Sequence, residues 1–133
     1  MSTGSVIYLD SSAIVKLVVN EPESAALYNF LENRRPLVSS ALARVEVSRA
    51  VLPFGSQEQR AAKEVLGWMD LMRISSRILG IAGTLQPDSL RTLDAIHLAS
   101  AVSLEDTLAE FVCYDRRLSQ AAANQGWAIA SPT

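Results

Sequence analysis

The sequence predicts an α/β fold: a central, mostly parallel sheet flanked by helices on both faces. Three observations carry that prediction. Short β-branched runs alternate with longer helical stretches along the whole chain. The strand candidates are followed by capping or turn residues that open a helix. No Pro/Gly-rich linker, repeat or low-complexity tract interrupts the alternation, so residues 1–133 read as one domain.

Val6-Ile-Tyr-Leu9 is a β-branched and aromatic run that fits a buried strand. Asp10-Ser-Ser12 are helix-start residues, and Ala13-Ile-Val-Lys-Leu-Val-Val19 follows as a short helix. Asn20-Glu-Pro22 punctuates the chain before residues 23–33, whose apolar positions 26, 27, 30 and 31 form a helical face. Pro36-Leu-Val38 is the second strand. Ser39-Ser40 reads as the cap of a helix over residues 41–51, ended by Pro53 and Gly55. Residues 56–68 are helical again. Leu71-Met-Arg-Ile74 predicts a third strand, with a helix over residues 76–84 after it. Gln86-Pro-Asp88 is a loop, and Ser89 opens a long helix to residue 102. Phe111-Val-Cys-Tyr114 is the fourth strand. Residues 116–124 form the last helix, closed by Gly126, and Trp127-Ala-Ile129 is the last strand.

A chain of 133 residues can bury a core without disulfides or structural metal. Its 49% hydrophobic and 20% charged residues argue against disorder. One Cys and one His exclude an intramolecular disulfide, a Cys-rich zinc site and a multi-His metal site. No apolar run approaches the roughly 20 residues that span a bilayer. The first residues carry no basic cluster before an apolar run, so no secretory signal and a cytoplasmic location are expected. A net charge of −2 speaks against a nucleic-acid binder working by counterion release alone. An enzyme whose cation is a metal remains open.

Four acids fall in unusual places. Asp10 follows the first strand and Asp115 the fourth, at the carboxyl ends where open α/β sheets bind ligands. Glu46 and Asp94 are embedded in apolar helical stretches, and Asp is a poor helix-interior residue. Each has an ordinary reading too: Asp10 and Asp115 as helix caps, Glu46 as a partner of Arg49, Asp94 as a partner of Arg91 or His97. All four ordinary readings must hold together for a shared site to vanish. If the acids converge, two carboxylates about 5 Å apart repel by roughly 3 kcal/mol at an effective dielectric near 20. Such a cluster must hold protons or bind a cation. Oxygen ligands alone select a hard ion, Mg²⁺ with Mn²⁺ as substitute, and such a site suits phosphodiester hydrolysis.

The same acids sit in four recognisable pieces: Tyr8-Leu-Asp-Ser-Ser-Ala13, Ser39-Ser-Ala-Leu-Ala-Arg-Val-Glu46, Leu90-Arg-Thr-Leu-Asp-Ala-Ile-His-Leu-Ala99 and Tyr114-Asp-Arg-Arg-Leu118. In these pieces, their order and their spacing, the chain resembles PIN-domain ribonucleases, most closely the VapC-type toxins of toxin–antitoxin pairs. The resemblance covers essentially the whole chain, although no single piece is specific. It implies that Asp10, Glu46, Asp94 and Asp115 are catalytic, with Asp10, Asp94 and Asp115 as metal ligands. Glu46 would orient metal-bound water or hold a second ion, and Ser12 would support a carboxylate. The implied activity is a Mg²⁺- or Mn²⁺-dependent endoribonuclease, the toxin of a type II module, in which activated water leaves a 5′-phosphate and a 3′-hydroxyl. RNA as substrate, a homodimer and a small cognate antitoxin are implied as partners. Apolar helices at 13–19, 41–52 and 76–82 offer surface for docking as well as for core packing.

Arg91, Arg116 and Arg117, with Arg44 and Lys16, lie within a few residues of an acid. They serve equally as RNA phosphate contacts or as solvated, acid-paired charges. His97 reads as a packed, hydrogen-bonded side chain rather than a general base, and Cys113 as core. Trp68, Trp127 and Phe111 read as packing residues. A receiver-type phospho-acceptor domain needs an acid pair after the first strand and a Lys after the last. Here Asp10 stands alone and the only lysines are Lys16 and Lys63. A haloacid-dehalogenase phosphatase needs an acid at position 12, which is Ser. A catalytically silent PIN-fold binding module is the alternative that keeps the whole pattern.

Overall fold

The computed structural model describes residues 4–133. Residues 1–3, part of the N-terminal stretch read above as no secretory signal, lie outside the described residues. Five strands form one parallel sheet: β1 (Val6–Leu9), β2 (Leu37–Ser40), β3 (Asp70–Met72), β4 (Leu108–Val112) and β5 (Ile129–Ala130). Their order is β3-β2-β1-β4-β5. The helices are α1 (Ser11–Val18), α2 (Ser24–Leu31), α3 (Ala43–Val51), α4 (Ser56–Leu66), α5 (Ser76–Ala82), α6 (Thr92–Val102) and α7 (Arg116–Ala123).

Strand β1 alternates its side chains between two cores. Ile7 and Leu9 join the cluster built with α1, α2, α3 and α4, while Tyr8 joins the one built with α6 and α7. Both faces are therefore covered, as a parallel sheet requires. The chain steps outward from β1 to β2 and β3, then returns to β4 on the other side of β1. Leu9 pairs with Val112, and the Asp10 N–H donates to the Val112 carbonyl at 3.2 Å. The segments leaving β1 and β4 thus emerge side by side at the switch in strand order.

The fold agrees with the expectation, with shifts at element ends. Strand β2 continues through Ser39 and Ser40, which the sequence assigns to a cap. Both are fully buried, and their backbones pair with Leu71 and Met72. Strand β4 begins at Leu108, earlier than expected, because Glu110 hides a strand position. It pairs with Ile7 and sends its carboxylate to Arg34 at 2.6 Å. Helices α3 and α6 start at Ala43 and Thr92 rather than at residues 41 and 89, which changes the setting of two acids. Beyond α7, Gly126 has a φ of 88°, a left-handed turn suited to glycine, before the chain enters β5. Among the described residues, no helix is long and apolar enough to cross a membrane.

Candidate active site

All four acids stand at helix N-termini. Asp10 is the N-cap of α1 and accepts the Ala13 N–H at 3.1 Å. Asp115 is the N-cap of α7 and accepts the Leu118 N–H at 2.9 Å. Glu46 and Asp94 lie in the first turns of α3 and α6, not in helix interiors as the sequence suggests. There, exposed N–H groups and the positive end of the helix dipole favour a carboxylate. The capping roles of Asp10 and Asp115 and the Arg91 partnership of Asp94 are realised. The Arg91 side chain also links Asp94 to Asp115.

Asp10 is 4% exposed. The Ser12 hydroxyl lies 2.7 and 2.9 Å from its two oxygens and donates to them, and the Cys113 thiol donates to Oδ2 at 3.3 Å. Ser12 Oγ also accepts the Tyr114 N–H at 3.1 Å, tying the end of β1 to the end of β4. Burial pushes the Asp10 carboxyl above its ordinary range, against the opposing pull of these bonds and of His97. Burial and the neighbouring Asp10 push the Cys113 thiol up, so it stays a donor and not a nucleophile.

Glu46 is held by His97 and Ser11 instead of Arg49. Ser11 Oγ donates to Oε1 at 2.5 Å, and His97 Nε2 lies 2.6 Å from the same oxygen. Burial raises the Glu46 carboxyl, but the bonds from His97 and Ser11 and the His97 charge outweigh it, and the net shift is downward. An ionised Glu46 only accepts, so Nε2 carries a hydrogen. In the neutral imidazole Nδ1 then accepts from the Tyr8 hydroxyl at 2.8 Å. His97 is 1% exposed, and this network engages both ring nitrogens. It is packed and hydrogen-bonded, in keeping with the sequence reading.

Arg91 bridges the other two acids. Its Nε donates to Asp94 Oδ2 at 3.2 Å and its Nη2 to Asp115 Oδ2 at 3.3 Å. Next to it opens a cleft of about 450 Å³ whose lining includes Asp94, Arg91, Arg116 and Arg117. Lys16 turns to Glu23 at 2.7 Å and Glu21 at 3.4 Å, and Arg44 lines a separate depression with Lys63. Cys113 and Phe111 are core, as expected. Phe111 stacks between Tyr8 and Trp127, with ring centroids 5.3 and 5.8 Å away. Trp68 is 41% exposed, edge-on to Tyr28.

Among the described residues, no three His, Cys, Asp or Glu side chains are grouped so as to hold an ion. Asp94 and Asp115 are spanned by Arg91, and Asp10 is turned onto Ser12 and Cys113. The donor set nevertheless fits a hard divalent cation: it consists of carboxylate and hydroxyl oxygens. The His97 nitrogens are engaged by Glu46 and Tyr8, and the Cys113 thiol donates to Asp10. A positive group, the Arg91 guanidinium, already lies between two of the carboxylates. Sequence reasoning missed Ser11 and Tyr8, which hold Glu46 directly and through His97. The available signals were the adjacency of Ser11 to Asp10 and the opposite facing of Tyr8 from Ile7 and Leu9.

The PIN domain family model matches residues 7–124. Ribonuclease VapC46 of Mycobacterium tuberculosis is 51% identical over 129 residues, covering 97% of this chain and 99% of the relative. Ribonuclease VapC47 of the same species is 37% identical over 132 residues, covering 96% and 97%. A toxin–antitoxin complex from Klebsiella pneumoniae has a chain with a TM-score of 0.73 at 20% identity, covering 96% of this chain and 98% of that one. At that identity the likeness is one of fold. Sequence likeness over nearly the full length, joined to four acids at four helix N-termini, leads to one assignment: the chain belongs to the PIN-domain family, among its VapC-type toxins.

Proposed function

We propose that this chain is a divalent-metal-dependent endoribonuclease, the toxin of a type II toxin–antitoxin pair, acting on RNA in the cytoplasm. The observation that carries the proposal is the placement of Asp10, Glu46, Asp94 and Asp115 each at a helix N-terminus, with Asp94 in the lining of an arginine-rich cleft and Arg91 joining it to Asp115. Asp10, Asp94 and Asp115 would hold Mg²⁺, with Mn²⁺ as substitute. When bound, such an ion neutralises charge on the scissile phosphate and makes water acidic enough to attack it. Ser12 fixes the Asp10 carboxylate. The Glu46 bonds to Ser11 and His97 both engage Oε1, which leaves Oε2 to orient a water. Arg116 and Arg117 supply positive charge for flanking phosphates, as does Arg91 once it turns from the acids.

Relatives named as ribonucleases and a structural neighbour from a toxin–antitoxin complex support this reading. Val45 in the first turn of α3, Leu52 and Phe54 just after its end, and Leu79 on α5 expose apolar surface that suits a small antitoxin or a second copy in a homodimer. The test is incubation of purified protein with RNA in Mg²⁺, Mn²⁺ or EDTA. Cleavage leaving 5′-phosphates is expected with either ion and none in EDTA. Asp94→Asn should lose at least about 100-fold in rate while keeping its melting temperature. Cleavage in EDTA, or a fully active Asp94→Asn, would overturn the proposal.

A further inference from the structure

The arginine-lined cleft extends beyond the acids along α7, and its far part is built differently from its near part. Asp94 and Arg91 stand at one end. Positions 116, 120 and 124 then recur every four residues, one helical face with a rise of about 6 Å per step. Arg116, Gln120 and Asn124 all line the cleft, and Leu90 contributes apolar wall. Gln120 Nε2 donates to Asn124 Oδ1 at 3.3 Å. That bond sets the two amides side by side, and leaves Gln120 Oε1 as a free acceptor and Asn124 Nδ2 as a free donor in the bonds it makes. A volume of about 450 Å³ falls in the range of small-ligand sites.

We propose that this part of the cleft is a base-reading subsite. A single-stranded nucleotide flanking the scissile phosphate places its phosphate on Arg116, its base against Leu90, and its hydrogen-bonding edge on Gln120 and Asn124. Paired amides suit that task because a base edge offers a donor beside an acceptor, and unpaired RNA exposes that edge. Charge alone attracts any RNA; the amide pair discriminates. The subsite rests on the ribonuclease reading and adds sequence selection to it.

The experiment is cleavage of a randomised RNA library by the wild-type chain and by Gln120→Ala/Asn124→Ala, with the ends sequenced. Wild type should prefer one base at a position within a few nucleotides of the cut. The double variant should lose that preference to within about twofold, keep the preferences at other positions, and melt at an unchanged temperature. As a second measurement, Asp94→Asn protein should bind the preferred oligonucleotide at least about tenfold more tightly than the same protein carrying both alanines. A wild-type base preference retained at every position by the double variant, or equal binding by the two proteins, overturns the subsite and leaves the ribonuclease reading standing. A wild-type chain that cuts no RNA with either metal overturns both.

Discussion

Asp10 carries its charge under strain: it is 4% exposed, and even with Ser12, Ala13 and Cys113 donating to it, burial raises its carboxyl. A carboxyl whose folded pKa lies above its unfolded one contributes stability at low pH, and loses it as pH rises through the folded value. Glu46 has the opposite sign: its contribution is present above its unfolded pKa and lost as pH falls through the lowered folded one. Comparing wild type with Asp10→Asn isolates the first effect. In EDTA, the variant should gain melting temperature over wild type between pH 4 and 8, each ~1 kcal/mol recovered being worth about 3–6 °C. A difference constant with pH would contradict the burial account. His97 gives a second prediction. His97→Ala removes the donor that orients Glu46, and loss of such a supporting contact typically lowers activity about 10–100-fold. His97→Gln keeps an N–H near the Nε2 position and should recover part of kcat, with KM for RNA changing less than kcat in both. An unchanged kcat in His97→Ala would remove the positioning role. The capping places of Asp10 and Asp115 were legible in the sequence because an acid between a strand and a helix reads as an N-cap. Ser11 and Tyr8 were not, since a serine beside a cap and a tyrosine in a strand fit ordinary roles.

Helices and strands explain how acids so far apart in sequence reach the same edge of the sheet. In a parallel sheet the helix after a strand begins at the strand's carboxyl end, so α1, α3 and α7 bring their N-termini to one edge. Helix α6 reaches the same edge by way of the loop after α5, and Arg91 joins its first turn to Asp115. The sheet class and the strand–helix alternation could be read from hydrophobic periodicity. The starts of α3 and α6 could not, because apolar residues extend past the helix ends and nothing local marks the first turn. Ser39 and Ser40 misled for a related reason: a buried central strand tolerates serines that elsewhere signal a cap. Strand β4 carries much of the support for the site. Phe111 is fully buried and stacks on Tyr8, whose hydroxyl holds His97. Phe111→Ala should lower the unfolding free energy by about 3–5 kcal/mol, seen as a lower urea midpoint with an unchanged slope. A loss under about 1 kcal/mol would mean that this stack is not the core contact described.

For the molecule as a whole, a formal charge of −2 conceals a divided surface. Four acids stand at helix N-termini, while Arg116 and Arg117 follow immediately after Asp115 and line a cleft with Asp94. A bound divalent ion would bring the formal charge to about zero, which helps reconcile an acidic chain with an RNA substrate. The central claim is that the acids act together as one site. It is tested most directly by single-turnover RNA cleavage in Mg²⁺ for wild type, Asp10→Asn, Asp94→Asn and the double variant. Residues that serve one ion as a unit are strongly non-additive. Each single change should cost about 100-fold or more, and the double variant should be no slower than the slower single one by more than about threefold. Losses that multiply in the double variant, or a single variant at wild-type rate, would contradict a shared site.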